Sequence, residues 1–137
     1  HVVKSIAGMP LDTLYTNRHY TRATRRSYDI IAAGMRSSAL GGTCRMLASL
    51  PFAACGKTGT AQNRGHDHSV FMGFAPMDNP KIAVSVYVEN GGWGADYGVP
   101  LGGLIMEQYI NGKLSEESQM RADEFQKRRI NYGTSSR

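Results

Sequence analysis

The order of elements in this sequence predicts an α+β fold built on an antiparallel sheet. Residues 68–75 and 82–88 carry strand patterns, and the short Pro-containing turn between them predicts a hairpin. A third strand is expected at 52–61, just before the hairpin. Apolar residues at helical spacing precede the strands at 27–40 and follow them at 98–111. The predicted order is therefore helix, three strands, helix.

Length and composition indicate one globular unit. The chain has 137 residues, of which 41% are hydrophobic and 20% charged, and this excludes a disordered or collagen-like chain. It contains no apolar run of about 18 residues, so no transmembrane helix is predicted, and no signal peptide opens it. Because the sequence begins at His1 rather than Met, we expect a piece of a longer protein.

The charge is distributed unevenly around a net value of +5. Residues 1–66 carry nine Lys or Arg against two acids, whereas residues 67–137 carry seven against nine. The densest basic cluster, Thr21–Ser27, contains three Arg but no recognised nucleic-acid-binding motif. We therefore interpret it as a solvated basic surface and predict no nucleic-acid partner.

The first helix, 27–40, is predicted from Ser27 as its N-cap and from Gly41-Gly42 as its end. A short second helix is expected to start at Thr43 and to end before Pro51. The spacing within the first helix assigns three residues to the core: Ile30, Ile31 and Met35.

The three strands differ in their patterns. The 52–61 strand has small side chains. In 68–75, apolar residues occur on both faces, so this strand is predicted to be central. The 82–88 strand has one fully apolar face, formed by Ile82, Val84, Val86 and Val88.

The helix at 98–111 is predicted to pack closely on the sheet, because Gly102 and Gly103 leave room for a neighbour. Gly112 ends this helix. The apolar residues that indicate this helix are Val99, Leu101, Leu104, Ile105, Tyr109 and Ile110.

A separate charged helix is expected at 115–130, with Ser115 as its cap. We interpret it as a solvent-exposed element. Acidic residues precede basic ones four positions later, and each such pair contributes a few tenths of a kcal/mol; the pairs are Glu117/Arg121, Asp123/Lys127 and Glu124/Arg128.

Cysteine and histidine do not predict a metal site. Cys44 and Cys55 are too few for a disulfide scaffold or a zinc site, and both are expected to be buried free thiols. The run His66-Asp67-His68 lacks a third ligand, so we interpret it as a polar turn, with His68 at the rim of a cleft. No metal and no cofactor is predicted.

The stretch Gly56-Lys57-Thr58-Gly59-Thr60 carries the chemistry, and it has two interpretations. A phosphate-binding P-loop needs a first glycine at position 51, which is Pro51. A P-loop also opens a helix, and the residues after Thr58 are poor helix formers. The alternative is a Lys-Thr-Gly element on a strand.

On a strand, Thr58 and Thr60 point to the same side, where two hydroxyls can hold a substrate carboxylate. Gly59 has no Cβ, so an element bearing a nucleophile can approach closely. Lys57 supplies a positive charge that attracts the carboxylate and can take part in proton transfer. The backbone N–H of Thr60 can serve as an oxyanion donor.

In this context, Ala54–Gln62 resembles the third motif of class B penicillin-binding proteins, the peptidoglycan transpeptidases. The stretch Glu89-Asn90-Gly91-Gly92 favours the elongation type of this family over the division type. The likeness covers about residues 27–112, and its other segments are Gly34-Met35, Gly42-Thr43, His68–Pro76, Ile82–Val88 and the helix from Gly98.

The resemblance implies a five-stranded antiparallel sheet flanked by helices, beside an all-helical lobe. It implies that an active serine attacks the D-Ala-D-Ala carbonyl of a stem peptide, releases D-Ala and passes the acyl group to an amine of a neighbouring strand. β-Lactams acylate the same serine. Lys57 and Thr60 are implied as catalytic residues, and Thr58, Gly59 and Thr60 as substrate-binding residues.

The resemblance also implies an organisation and partners. Residues 1–114 correspond to the C-terminal part of a transpeptidase domain, and 115–137 to a charged helical tail. The partners are the stem peptide, β-lactams, the remainder of the domain and a glycan polymerase of the SEDS family. The location is the periplasmic face of the bacterial inner membrane, with an N-terminal anchor helix outside this chain.

One departure from the family pattern is decisive: the nucleophile motif S-x-x-K does not occur in this sequence. The S-x-N motif is also missing, and Tyr15-Thr16-Asn17 and Tyr109-Ile110-Asn111 have the Y-x-N form in the wrong places. The chain alone is therefore predicted to be inactive. A D-alanyl carboxypeptidase or β-lactamase, and a non-catalytic penicillin-sensing or degenerate binding module, stay open as alternatives.

Overall fold

The computed structural model describes residues 5, 7–9, 17 and 20–130. It confirms the predicted α+β fold with an antiparallel sheet. A 3-10 helix at Arg45–Ser49 stands where the short second helix was expected. The other elements are α1 (Arg25–Gly41), β1 (Cys55–Ala61), β2 (His68–Ala75), β3 (Ile82–Val88), α2 (Gly98–Asn111) and α3 (Glu116–Lys127).

The described strands form one sheet in the order β1-β2-β3, with both pairs antiparallel. The prediction that β2 is central is confirmed. The predicted first strand was too long, since β1 begins at Cys55 rather than at 52. In the observed register Ala53 would lie opposite Pro76, which has no N–H to donate. The carbonyl of Ala53 accepts a hydrogen bond from the N–H of Met77 instead, at 2.8 Å.

The core lies between the sheet and α2, as predicted. Phe71 of β2 is fully buried, and it lies against Gly98 and Gly102 of α2. A Cβ at Gly102 would clash with the Phe71 ring, so this glycine allows the helix to approach the strand closely. Of the apolar residues of α2, Val99 is buried, whereas Ile105 and Tyr109 are exposed.

The prediction for α1 was right in extent and wrong in two details. The N-cap is Thr24, whose hydroxyl accepts a hydrogen bond from the N–H of Ser27 at 3.2 Å. Ile30 and Ile31 are not core residues, since they are 62% and 60% exposed. Near its C-terminal end the helix packs on β1, where Arg36 donates to the Ala54 carbonyl at 2.9 Å. Ile30 and Ile31 lie in the N-terminal half of the helix, away from this contact, and the described residues leave them mostly exposed.

A buried carboxylate joins α2 to α3. Gly112 ends α2 at φ 73°, and Ser115 caps α3, both as predicted. Glu107 is buried and accepts a hydrogen bond from the N–H of Ser115 at 3.0 Å. Burial alone would raise the pKa of Glu107, but hydrogen bonding to Ser118 and Ser115 outweighs burial and lowers the pKa.

The exposed charges of α3 pair less than expected. Of the three predicted pairs, the part of the chain with described placement contains only Glu117–Arg121, at 2.9 Å. Arg128 turns away from Glu124 and lies over the Phe125 ring. None of the helices described here combines the length and apolar character that crossing a membrane requires.

Both cysteines are buried free thiols, as predicted. Burial raises the pKa of the Cys55 thiol, against a smaller opposing effect of the Arg36 charge. Cys55 therefore behaves as a small apolar residue at the start of the motif strand rather than as a nucleophile.

Candidate active site

The Lys-Thr-Gly motif lies on β1, which has a free edge within the described residues. The strand continues to Ala61, so no helix starts after Thr58. The P-loop interpretation is therefore wrong, because a P-loop needs a helix N-terminus facing the phosphates. Lys57 and Thr60 are exposed, and Thr58 and Gly59 are half-buried.

The two threonines share one face of the sheet, as the strand period requires. Thr58 lies opposite Phe71, and Thr60 lies opposite Ser69. The Thr58 hydroxyl is hydrogen-bonded to the hydroxyl of Thr43, with 2.7 Å between the oxygens. Thr43 therefore belongs to the site, although its expected role was to cap a helix. Thr43 and Thr58 are 15 positions apart, so a periodic sequence pattern does not predict their contact. The sequence indicates only that Thr43 follows the two glycines that end α1, Gly41-Gly42.

The backbone of the motif is directed to the free edge at both threonines. Gly94 packs over the Gly59–Val70 pair, where a Cβ would lie 2.7 Å from the Gly59 oxygen and 2.5 Å from the Val70 oxygen. These two carbonyls therefore point between the strands, as in a hydrogen-bonded pair. By alternation, Thr58 and Thr60 turn their N–H and C=O groups outward.

The position of the lysine ammonium agrees with this geometry. Lys57 Nζ donates to the outward carbonyl of Thr58 at 2.7 Å. Within the residues whose placement is described, no carboxylate lies within ion-pair distance of Lys57. The positive charge therefore sits beside the outward N–H groups, and it is available to an anionic ligand.

A glycine-rich loop, 89–97, covers the sheet next to the motif. Ser69 of β2 is fully buried; its hydroxyl donates to the Trp93 carbonyl at 2.8 Å and accepts from the N–H of Gly98 at 3.0 Å. Ser69 and Gly94 were not predicted as part of the site, because their roles depend on this loop folding back over β2. Trp93 itself is 73% exposed.

His68 lies at the start of β2, opposite Ala61 of the motif strand. Its Nδ1 accepts a hydrogen bond from the N–H of Asn90 at 3.0 Å, and its ring lies 5.3 Å from that of Tyr87. Asn90 adopts a positive φ of 55° in this turn. The histidine thus fixes the first residues of the loop.

The arrangement brings three kinds of group together on one strand edge. It provides a cation, two hydroxyls and outward backbone donors on one strand edge, which together suit a carboxylate and a developing oxyanion. It provides no S-x-x-K nucleophile, since that motif is absent from the sequence.

Comparisons with known proteins agree with this geometry. Residues 1–109 match the family described as "Penicillin binding protein transpeptidase domain". The chain is 30% identical over 144 residues to the peptidoglycan D,D-transpeptidase MrdA of Haemophilus influenzae, covering 85% of this chain and 21% of that protein. It is 32% identical over 83 residues to the MrdA of Escherichia coli K12, covering 49% of this chain and 12% of that protein.

Solved structures give the same result. The chain is similar to PBP2 of Pseudomonas aeruginosa, solved in complex with WCK 5153, with a TM-score of 0.56 and 40% identity over 66% of this chain and 21% of that one. It is also similar to PBP2 of Helicobacter pylori, with a TM-score of 0.56 and 27% identity over 66% of this chain and 18% of that one.

The chain thus spans about a fifth of the Haemophilus relative. The predicted likeness to penicillin-binding protein 2, the elongation type, is confirmed by these relatives. An open strand edge carrying Lys57, Thr58 and Thr60, together with a family match over residues 1–109, leads to one conclusion: this chain belongs to the penicillin-binding protein transpeptidase domain family.

Proposed function

We propose that the chain works as the C-terminal part of a peptidoglycan D,D-transpeptidase that is also a β-lactam target. The observation that carries this proposal is the Lys57–Thr60 edge, where a cation, hydroxyls and outward backbone groups converge on one open strand. The relatives named D,D-transpeptidases support the reaction class. PBP2 of Pseudomonas aeruginosa was solved as a complex with WCK 5153, so one relative binds a further molecule.

Each motif residue has a role in this reaction. A serine supplied from outside this chain attacks the D-Ala-D-Ala carbonyl, D-Ala leaves, and an amine of a neighbouring strand takes the acyl group. The Thr58 and Thr60 hydroxyls hold the substrate carboxylate, and Lys57 attracts it and assists proton transfer. The outward N–H of Thr60 stabilises the oxyanion. Gly59 keeps the edge open for the approaching serine.

The remainder of the transpeptidase domain is the main partner in this proposal. Ile31, Met72 and Tyr87 are each more than half exposed. Packing of the rest of the domain on these side chains would bury their apolar surface and stabilise the association. The transpeptidase part is then 1–114, and 115–137 is a charged tail. PBP2 of Helicobacter pylori was solved as a complex with MreC, so one relative binds a further protein.

The location and the remaining partner follow from the reaction. Because peptidoglycan is cross-linked outside the cytoplasm, we expect the whole protein at the periplasmic face of the inner membrane, with an anchor helix outside this chain. A glycan polymerase of the SEDS family would supply the strands to be joined. Two alternatives use the same strand edge. In a sensing module, penicillin acylates the serine and the acyl group stays there. In a carboxypeptidase, water rather than an amine takes the acyl group.

The experiment is a Lys57→Ala substitution in the full-length protein that carries this chain. The rate of acylation by penicillin should fall about 100-fold or more, because the variant removes the charge that acts in the transition state. The free energy of unfolding should change by less than about 0.5 kcal/mol, because the side chain is exposed.

The matched control is Lys81→Ala, which removes the same charge in the exposed turn before β3. Its acylation rate should equal that of the unchanged protein. Equal acylation by the Lys57 and Lys81 variants would contradict the assignment. Transfer of the acyl group to an added amine separates a transpeptidase from a sensing module, which would only accumulate the acyl form.

A further inference from the structure

Two side chains at the C-terminal end of α3, Phe125 and Arg128, contact Tyr97 at the start of α2. The Arg128 guanidinium carbon lies 4.1 Å from the Phe125 ring centroid and 5.4 Å from that of Tyr97. The two rings meet edge to face at 5.7 Å. Arg128 also donates from Nη1 to the Asp96 carbonyl at 3.1 Å. We name Tyr97, Phe125 and Arg128 the C-terminal clamp.

The contact links α3 to the loop that covers the motif. The N–H of Asp96 donates to the Trp93 carbonyl at 2.9 Å, and the same carbonyl accepts from the buried Ser69 hydroxyl. Next to Trp93, Gly94 packs on β1, where its Cβ would lie 3.0 Å from the Cβ of Thr58. A continuous set of contacts therefore runs from Arg128 through Asp96 and Trp93 to the motif strand.

The sequence of the 89–97 loop allows many backbone conformations, so contacts from outside the loop are needed to hold it in one of them. Its three glycines lower the cost of alternative backbone conformations, and Trp93 is mostly exposed. Among the described residues of the sheet, Ser69 and His68 are the side chains that bond to this loop or its end. A guanidinium stacked on two rings and bonded to a loop carbonyl adds a directional restraint from outside the sheet.

We propose that the C-terminal clamp positions the 89–97 loop on the Lys-Thr-Gly strand and thereby sets the rate of acylation. Arg128 is a positioning residue, since it acts through Asp96 and Gly94 and does not reach the motif itself. The inference rests on the proposed function. It also assigns a role to α3, which lies beyond residue 109, where the family match ends, and which the charge pattern alone placed in solvent.

The test is Arg128→Ala in the full-length protein, followed by two measurements. Hydrogen–deuterium exchange of peptides spanning 92–98 should accelerate about fivefold, because the stacking and the hydrogen bond are both lost. A peptide spanning 36–44, in α1 and the loop that follows it, should exchange as before. The first-order rate constant of acylation by penicillin should fall about threefold to tenfold, while the initial binding constant changes less.

Two further variants make the result specific. Arg129→Ala removes the same charge from the next residue and should leave both exchange and acylation unchanged. Arg128→Lys keeps a cation over the rings and a donor near the Asp96 carbonyl. Its exchange at 92–98 and its acylation rate should therefore be closer to those of the unchanged protein than to those of Arg128→Ala. A merely global destabilisation would instead accelerate exchange in the 36–44 peptide as well, and that result would overturn the proposal.

Unchanged exchange at 92–98 in Arg128→Ala would overturn the clamp. Faster exchange with an acylation rate equal to that of Arg129→Ala would overturn its role in positioning. If the unchanged protein is not acylated at all, the proposed function fails, and the exchange measurement still decides whether the clamp holds the loop.

Discussion

A single buried hydroxyl, that of Ser69, joins the central strand to the loop over the motif. It donates to the Trp93 carbonyl and accepts from the N–H of Gly98. Because Ser69 is fully buried, removing its hydroxyl leaves the Gly98 N–H without this hydrogen-bond partner, and the Trp93 carbonyl keeps only its bond from the N–H of Asp96. Ser69 therefore contributes to stability and to the shape of the site.

Ser69→Ala should lower the free energy of unfolding by about 1–3 kcal/mol, the cost of leaving the buried N–H of Gly98 unpaired. Urea titration of the chain measures this. Ser85→Ala is the matched control, since it makes the same chemical change at an exposed position of β3 and should cost less than about 0.5 kcal/mol. Equal effects of the two substitutions would show that the Ser69 bridge contributes nothing.

At the scale of residues, sequence reasoning succeeds where a role follows from strand period. The two-residue repeat of a strand predicts that Thr58 and Thr60 lie on one face, and the observed register confirms this. Thr43 was not predicted, because its hydroxyl reaches Thr58 through a loop whose path no local pattern records. The roles of Lys57 and Thr60 in catalysis stay predictions.

At the scale of elements, the packing of α2 on β2 depends on absent side chains. Gly98 and Gly102 both lie against Phe71, and a Cβ at either position would come within 3 Å of that residue. Gly34, in the middle of α1, has nothing within 4 Å of its Cβ position. Glycine is therefore required for packing at positions 98 and 102 of α2, whereas at position 34 of α1 it only lowers helix stability.

Gly102→Ala should destabilise the chain by about 1–3 kcal/mol, because the added methyl forces the helix away from the Phe71 ring. Gly34→Ala should stabilise it by about 0.5–1 kcal/mol, because alanine loses less backbone entropy in a helix. Both are measured by urea titration at one protein concentration. The same sign for both substitutions would contradict the packing described for α2.

The helices and strands were largely predictable from the sequence, but the segments that pack on their faces were not. The β2–β3 hairpin, the end of α2 at Gly112 and the Ser115 cap follow from local patterns, which act within a few residues. The apolar spacing of Ile30 and Ile31 also indicates a helix, but it cannot show which segment covers that face. For the same reason, nothing in the α3 pattern indicated that Arg128 stacks on Tyr97.

At the scale of the whole molecule, the described residues present an open strand edge and an exposed apolar face. Ile31 of α1 and Met72 and Tyr87 of the sheet contribute to that apolar exposure. The family was predictable from the Lys-Thr-Gly strand and the order of the segments around it, and the match over residues 1–109 confirms it. The absence of the nucleophile motif is equally plain in the sequence.

Mapping the penicillin adduct by mass spectrometry tests the central claim most directly. The full-length protein and the 137-residue chain are each incubated with penicillin and weighed intact, and the adduct is then located by proteolysis. The account predicts one adduct per full-length molecule, on a serine outside this chain, and none on the chain alone. An adduct on any residue of this chain, or a full-length protein that forms none, would contradict it.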